Sequence, residues 1–248
     1  MSKEARPQDW YAWHAPYADP ASTLTARLRE VRRQLGDALD RAPAGPLTLV
    51  SLCAGQGLDV TPVLAEHPRG ADVRATLIEA DERNCEAIDT STGSVEVVCG
   101  DAGSTEHLAD VVPVDVLLLC GVFGNVSDED VRRTVEAVAT LCAAGGSVLW
   151  TRHTYEPDLT GQLRQWLTGA GVRETAFVRG QVGRPSWSVG SGVVTAPRPF
   201  ATGHLFTFST RPTTDLFSSL LDQFQPLGGT ELDLPPRSAH PRAADLTA

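Results

Sequence analysis

The chain is short of positive charge. Its 248 residues carry 21 Lys and Arg against 31 Asp and Glu, a formal net charge of −10 with a sequence pI near 5.0. Lys3 is the only lysine, so the other cations are arginines. An acidic chain gains little from counterion release along a phosphate backbone, which argues against a nucleic-acid partner. Long apolar runs are missing as well. The best, 111–123, is interrupted by Pro113 and Asp115 and falls short of the ~18 residues that a membrane span needs. The opening residues are polar and lack the apolar core of a signal peptide. Cysteines are few and odd in number: Cys53, Cys85, Cys99, Cys120 and Cys142, with no Cys-x-x-Cys pair and no histidine spaced to join them. That pattern predicts reduced thiols, no disulfide framework and no metal. Together these absences predict a soluble, cytoplasmic protein with no membrane partner.

What is present is enough apolar sequence, 42% of the chain, to bury a sizeable core. A charged fraction of 21% argues against global disorder. Short runs rich in Val, Leu and Ile at 47–53, 73–79, 95–100, 114–120 and 147–153 alternate with helical patterns, the signature of βαβ units and a parallel sheet. Ser22 is placed to cap a helix with the stripe Leu24, Leu28, Val31, Leu35 and Leu39. Ser127 opens a second with the stripe Val131, Val135, Val138 and Leu141, which Gly145 and Gly146 are expected to stop. Pro157 suits the first turn of a third, with Leu159, Leu163, Trp166 and Leu167 on one face. Two further strands are predicted at 173–178 and 204–209, with the Gly-, Pro- and Ser-rich stretch 180–199 read as loop with room for a short hairpin. A last amphipathic helix is expected around Leu216–Phe224.

The predicted architecture is therefore α/β, a doubly wound, seven-stranded, mainly parallel sheet with its last strand antiparallel and a helical N-terminal cap. The expected organisation is a cap over 1–42, a single main domain over 43–232 and a mobile tail over 233–248.

The sharpest signal follows the first strand, where Leu49-Val-Ser-Leu-Cys-Ala-Gly-Gln-Gly-Leu-Asp59 runs into a Gly55-x-Gly57 turn. Glycines there allow a tight turn and close approach to a ligand, although a bare βα connection uses the same device. Glu79 ends the second strand about twenty residues on, where a carboxylate can accept from both hydroxyls of a ribose. Asp101 follows the third strand in Gly100-Asp-Ala102, suited to an exocyclic amine such as that of adenine.

This succession resembles the class I S-adenosylmethionine (SAM)-dependent methyltransferases, which have a Rossmann-like fold. The resemblance covers 47–153, with weaker support to 209. It implies donor contacts from Cys53, Ala54, Gly55 and Gly57 around the methionine part and Glu79 at the ribose. It also implies Asp101 and Ala102 at the adenine, with Cys120, Gly121 and Val122 lining the donor after strand four. Motif I of that family usually has an acid where this chain has Ser51 and a first glycine where it has Cys53. The whole chain also resembles a bacterial group with an aromatic N-terminus and a Gly-Val-Phe-Gly-Asn turn, here 121–125. The competing cofactor, NAD, wants Gly or Ala at a third position that is Val60 here.

The function implied is methyl transfer from SAM, giving S-adenosylhomocysteine (SAH), to O or N of a small organic acceptor. The alternatives are a SAM-consuming enzyme that does not methylate, such as a cyclase, and a non-catalytic SAM-binding protein. His153 after strand five and His14 in the aromatic N-terminus are the candidate bases. Tyr11, Trp13, Tyr17, Phe123 and Asn125 are the candidate acceptor contacts. The bland readings stand beside these: a strand-end histidine, a hydrophobic clasp and a turn asparagine. Asp59 can touch the donor's ammonium or cap the first helix. The acceptor, the atom methylated and the oligomeric state are left open by the sequence.

Overall fold

The computed structural model describes residues 8–91, 93–180 and 187–208. Helix α1 (Thr23–Arg41) forms as its stripe predicts. The Ser22 hydroxyl accepts from the Leu24 N–H, and Leu28, Val31, Leu35, Ala38 and Leu39 are buried. Then follow β1 (Leu47–Leu52), α2 (Thr61–Glu66), β2 (Val73–Glu79), α3 (Glu82–Ala87), β3 (Ser94–Cys99), β4 (Val114–Leu119), α4 (Asp128–Leu141), β5 (Cys142–His153), α5 (Thr160–Gly169), β6 (Val172–Arg179) and β7 (Trp187–Val194). The seven strands make one sheet in the order β3-β2-β1-β4-β5-β7-β6. All pairs are parallel except those of β7, which runs antiparallel to both β5 and β6.

Strands β1 and β4 are covered on both faces, which is why Val and Leu fill four of six positions in β1 and five of six in β4 rather than every second one. One face packs Val50, Leu117, Phe123 and Trp150 beneath α4 and α5; the other packs Leu49, Leu77, Val116 and Leu149 beneath α1 and α2. Because β2 and β3 lie on one side of β1 and β4 on the other, the chain direction splits between β1 and β4. In an open α/β sheet that split leaves a crevice at the strands' carboxyl ends, where ligands bind.

The structure corrects several expectations. The seventh strand is β7, inside the stretch read as loop, and 204–208 contributes only isolated bridges (Ser104 to His204, Val126 to Phe208). The glycines that made this stretch look like loop serve close approach. A β-carbon at Gly190 would stand 2.3 Å from the Trp150 ring, and one at Gly192 2.5 Å from Val172. Gly145 and Gly146 do not stop α4. The helix ends at Leu141, where Cys142 turns extended, and both glycines lie within β5. Pro157 precedes α5 rather than entering its first turn.

Cys85 and Cys99 form a disulfide, so the expectation of reduced thiols fails for this pair. The β2–β3 register sets Glu79 beside Cys99, and α3 begins directly after β2, so tertiary pairing brings together cysteines that show no sequence motif. No helix among the described residues is long and apolar enough to cross a membrane. The expected helix around 216–224 and the tail 233–248 lie outside the described residues.

Candidate active site

A cavity of about 570 Å³ opens at the split between β1 and β4. That lies within the roughly 300–1,000 Å³ typical of small-molecule sites. Its floor is the turn after β1. Cys53 (φ +57) and Gly55 (φ +56) both adopt the left-handed region. For Cys53, the only described non-glycine residue there, the conformation costs roughly 1–2 kcal/mol. The turn is closed by Gly57 N–H to the Ala54 carbonyl at 2.9 Å and anchored to β2 by Ala54 N–H to the Ile78 carbonyl at 3.0 Å.

Glu79, buried at the end of β2, holds the turn from the other side. One carboxylate oxygen accepts from the Gly55 N–H at 2.8 Å and the other from the Asp81 N–H at 3.0 Å. Each oxygen keeps a lone pair for a further donor. Asp101 lines the next stretch of wall, with one oxygen accepting from the Gly103 N–H at 2.8 Å. Between them sits Asn84 of α3. It is fully buried and lines the cavity, and its Nδ2 has no hydrogen-bond partner among the described residues.

The N-terminal segment closes the opposite side. A 3₁₀ helix, Ala12–Ala18, places His14, Trp13 and Tyr17 on the cavity wall with Trp10 ahead of them. Trp10 meets Phe208 edge-on at 5.5 Å, which joins this wall to the 206–208 segment. The Trp10 carbonyl lies 2.8 Å from His14 Nδ1 and so requires the proton there, leaving Nε2 bare. Burial pushes the His14 pKa below its ordinary value. Arg27 of α1 donates to the Tyr17 hydroxyl at 2.6 Å and lies 5.6 Å from the Trp13 ring centre. Burial pushes the Asp59 carboxyl up to about 6, against a hydrogen bond from its own backbone N–H, the charges of Arg27 and Arg32 and a hydrogen bond with Cys120.

Of the residues expected to contact a donor, Cys53, Ala54, Gly55, Glu79, Asp101, Ala102, Cys120 and Gly121 line this one cavity. Gly57 and Val122 do not. A β-carbon on Gly57 would press on Ile88, Leu77 and Thr61, so this glycine serves helix–strand packing; Val122 is core. Of the expected acceptor contacts, Trp13, Tyr17 and Asn125 line it, and Asn125 also donates to the Gly121 carbonyl at 2.6 Å, closing the loop after β4. Phe123 points into the core, and Tyr11 is exposed beneath Arg83.

His153 is not on the cavity wall, contrary to expectation. Its ring stacks on Tyr155 at 5.0 Å and packs against Gly124. Position at the end of β5 was the signal for it, but the loop after β4 stands between it and the crevice. Asp59 does not cap α2 either, whose N-cap is Val60 without a side-chain bond.

No protein-family model and no curated protein matches the sequence. Solved structures do match. A Burkholderia thailandensis 1,6-didemethyltoxoflavin-N1-methyltransferase, solved with its substrate and SAH, superposes at TM-score 0.53 and 16% identity over 79% of this chain and 93% of that one. The CurJ carbon methyltransferase superposes at TM-score 0.55 and 13% identity over 75% of this chain and 58% of that one. The Methanococcus jannaschii fibrillarin pre-rRNA processing protein superposes at TM-score 0.51 and 15% identity, over 67% and 76%. The fold is that of the class I methyltransferases.

Within the methyltransferase fold, several cavity residues were invisible in the sequence. Arg27 sits on a helix whose pattern reports only its buried stripe. Asn84 lies in a polar stretch, and Phe206 and Phe208 fall in a segment read as a strand. Only Trp10 carried a signal, through the density of aromatics around it.

Proposed function

We propose that this protein is a SAM-dependent methyltransferase acting on O or N of a small organic acceptor. The observation that carries the reading is the convergence of the Gly55 turn, the Glu79 carboxylate and Asp101 on one cavity of suitable size. These groups suit a nucleoside donor. The paired Glu79 oxygens fit two adjacent hydroxyls, Asp101 fits an amine, and Asn84 Nδ2, without a partner among the described residues, has a hydrogen to give. SAM, when bound, supplies an electrophilic methyl group.

What the chain itself contributes is chiefly position. Methyl transfer is an in-line displacement, and fixing both reactants supplies much of its acceleration. Trp10, Trp13, Tyr17, Phe206 and Phe208 form a wall that excludes water and favours a flat acceptor. His14 is the one imidazole on the cavity wall among the described residues. With Nδ1 committed to the Trp10 carbonyl, its Nε2 can accept a proton from an acceptor that still holds one at working pH. The acidic chain and the aromatic wall both favour a small molecule over a nucleic acid.

The test is calorimetry with SAM and SAH, followed by methyl-labelled SAM with candidate acceptors. Transfer of label to an acceptor supports the reading. Consumption of SAM without transfer indicates the non-methylating alternative, and absence of binding at millimolar ligand ends the donor assignment.

A further inference from the structure

Two short pieces of chain carry the proposed nucleoside side of the cavity, and one covalent bond joins them. Asn84 lines the cavity from α3, while Gly100 and Asp101 line it from the turn after β3. Cys85 directly follows Asn84 and Cys99 directly precedes Gly100, so the Cys85–Cys99 disulfide ties both pieces together behind the wall. The two α-carbons are 6.1 Å apart, a usual span for this bond. Both pieces also meet at the backbone carbonyl of Glu79. The Gly100 N–H donates to it at 2.9 Å, and Cys85 Sγ lies 3.4 Å from it, so a reduced Cys85 thiol has an acceptor already in place. Helix α3 is only six residues long, too short to hold itself in water, so its anchoring decides how firmly Asn84 is placed.

The two sulfurs differ in access. Cys99 ends β3, a strand at the edge of the sheet, and is the one exposed cysteine of the five; Cys85 is buried. Burial raises the pKa of the other three thiols, Cys53, Cys120 and Cys142, which makes them poor thiolates at neutral pH.

We infer that Cys85–Cys99 is a thiol–disulfide exchange site that sets donor affinity, tight-binding when oxidised and opened by a dithiol reductant. The inference rests on the donor reading above and adds its regulation. A thiolate of the dithiol attacks the exposed Cys99 Sγ, the bond to Cys85 breaks, and Cys85 leaves as a thiolate that takes a proton from water. The second sulfur of the dithiol then attacks the mixed disulfide. Cys99 leaves as a thiolate, and the reductant departs as its own disulfide, having passed two electrons to the protein. With the bond gone, α3 and the turn at 100–101 are held by noncovalent contacts. A ligand must then order them as it binds, and apparent affinity falls with the fraction of molecules in which the wall is formed.

The test begins with maleimide labelling of the unfolded, unreduced chain, which should find three thiols, and five after dithiothreitol. Calorimetry on the folded protein should then show reduction raising the SAH dissociation constant about 3–10-fold, with glutathione disulfide reversing the change. A variant carrying Cys85→Ser and Cys99→Ser should bind SAH as weakly as the reduced wild type and ignore dithiothreitol. Hydrogen exchange reads the switch without any ligand, because amides of 82–87 should exchange faster once the bond is reduced. Five thiols before reduction overturn the inference, as does equal SAH affinity in the two states. Loss of the fold on reduction, seen by circular dichroism, also overturns it, since the bond is then a structural staple. Absence of SAH binding in both states overturns the donor reading, a distinct result, because the thiol count and the α3 exchange still report on the bond.

Discussion

The imidazole of His14 rests on Gly55: a β-carbon added there would stand 2.2 Å from Nε2. The N-terminal segment and the cavity floor therefore meet through a residue that only glycine can be. Gly55→Ala pays twice, for a left-handed conformation costing roughly 1–2 kcal/mol and for displacing a ring fixed by the Trp10 carbonyl. Its unfolding free energy should fall by about 2–3 kcal/mol in denaturant titrations. Adding His14→Ala should restore part of that loss, a coupling on the order of 0.5–1.5 kcal/mol. Strictly additive effects would show that the two residues do not touch in solution.

Glu79→Ala should damage the fold as well as ligand binding. It orphans the backbone N–H groups of Gly55 and Asp81, a loss of about 2–4 kcal/mol for two charge-assisted bonds. Thermal and chemical unfolding measure that part. SAH calorimetry measures the other, expected to fall at least about 10-fold. A variant as stable as the wild type contradicts the hydrogen bonds described.

Asp59 gives the proposed donor site a pH signature. Burial holds its carboxyl near 6, while Arg27 and Arg32 from α1 and the Cys120 thiol pull the other way, with Tyr17 nearby. A bound ammonium favours the ionised form, so SAH binding should strengthen as pH rises through about 6, with a proton released at lower pH. Calorimetry in buffers of differing ionisation enthalpy detects that proton, and Asp59→Asn should abolish it. For the free protein the sign reverses. The folded carboxyl has the higher pKa, so it binds the extra proton between the ordinary carboxylate range and about 6, and its contribution to stability declines as pH rises through that window.

His14 and His153 act in the opposite sense. Burial lowers both pKa values, and Arg152 lowers that of His153 further. The unfolded chain then binds more protons below about 6.5, so stability should fall as pH drops from 7 to 5. His153→Gln should flatten that fall. Because His153 lies off the cavity wall, SAH affinity at neutral pH should not change. A large loss of affinity would place His153 in the site after all.

The sequence alone determined the frame of this protein. Alternating buried strands and striped helices specify a covered parallel sheet. The Gly-x-Gly turn, Glu79 and Asp101 read as a donor site because strand ends are local features whose spacing survives in one dimension. Tertiary structure decided what local pattern does not encode. β7 looked like loop because Gly190 and Gly192 are strand residues only by virtue of Trp150 and Val172 pressing on them. Cys85 and Cys99 meet through strand register. His153 and Arg27 exchanged prominence for the same reason: which side chain reaches the crevice depends on how the loop after β4 and helix α1 pack around it, through contacts between segments far apart in the chain.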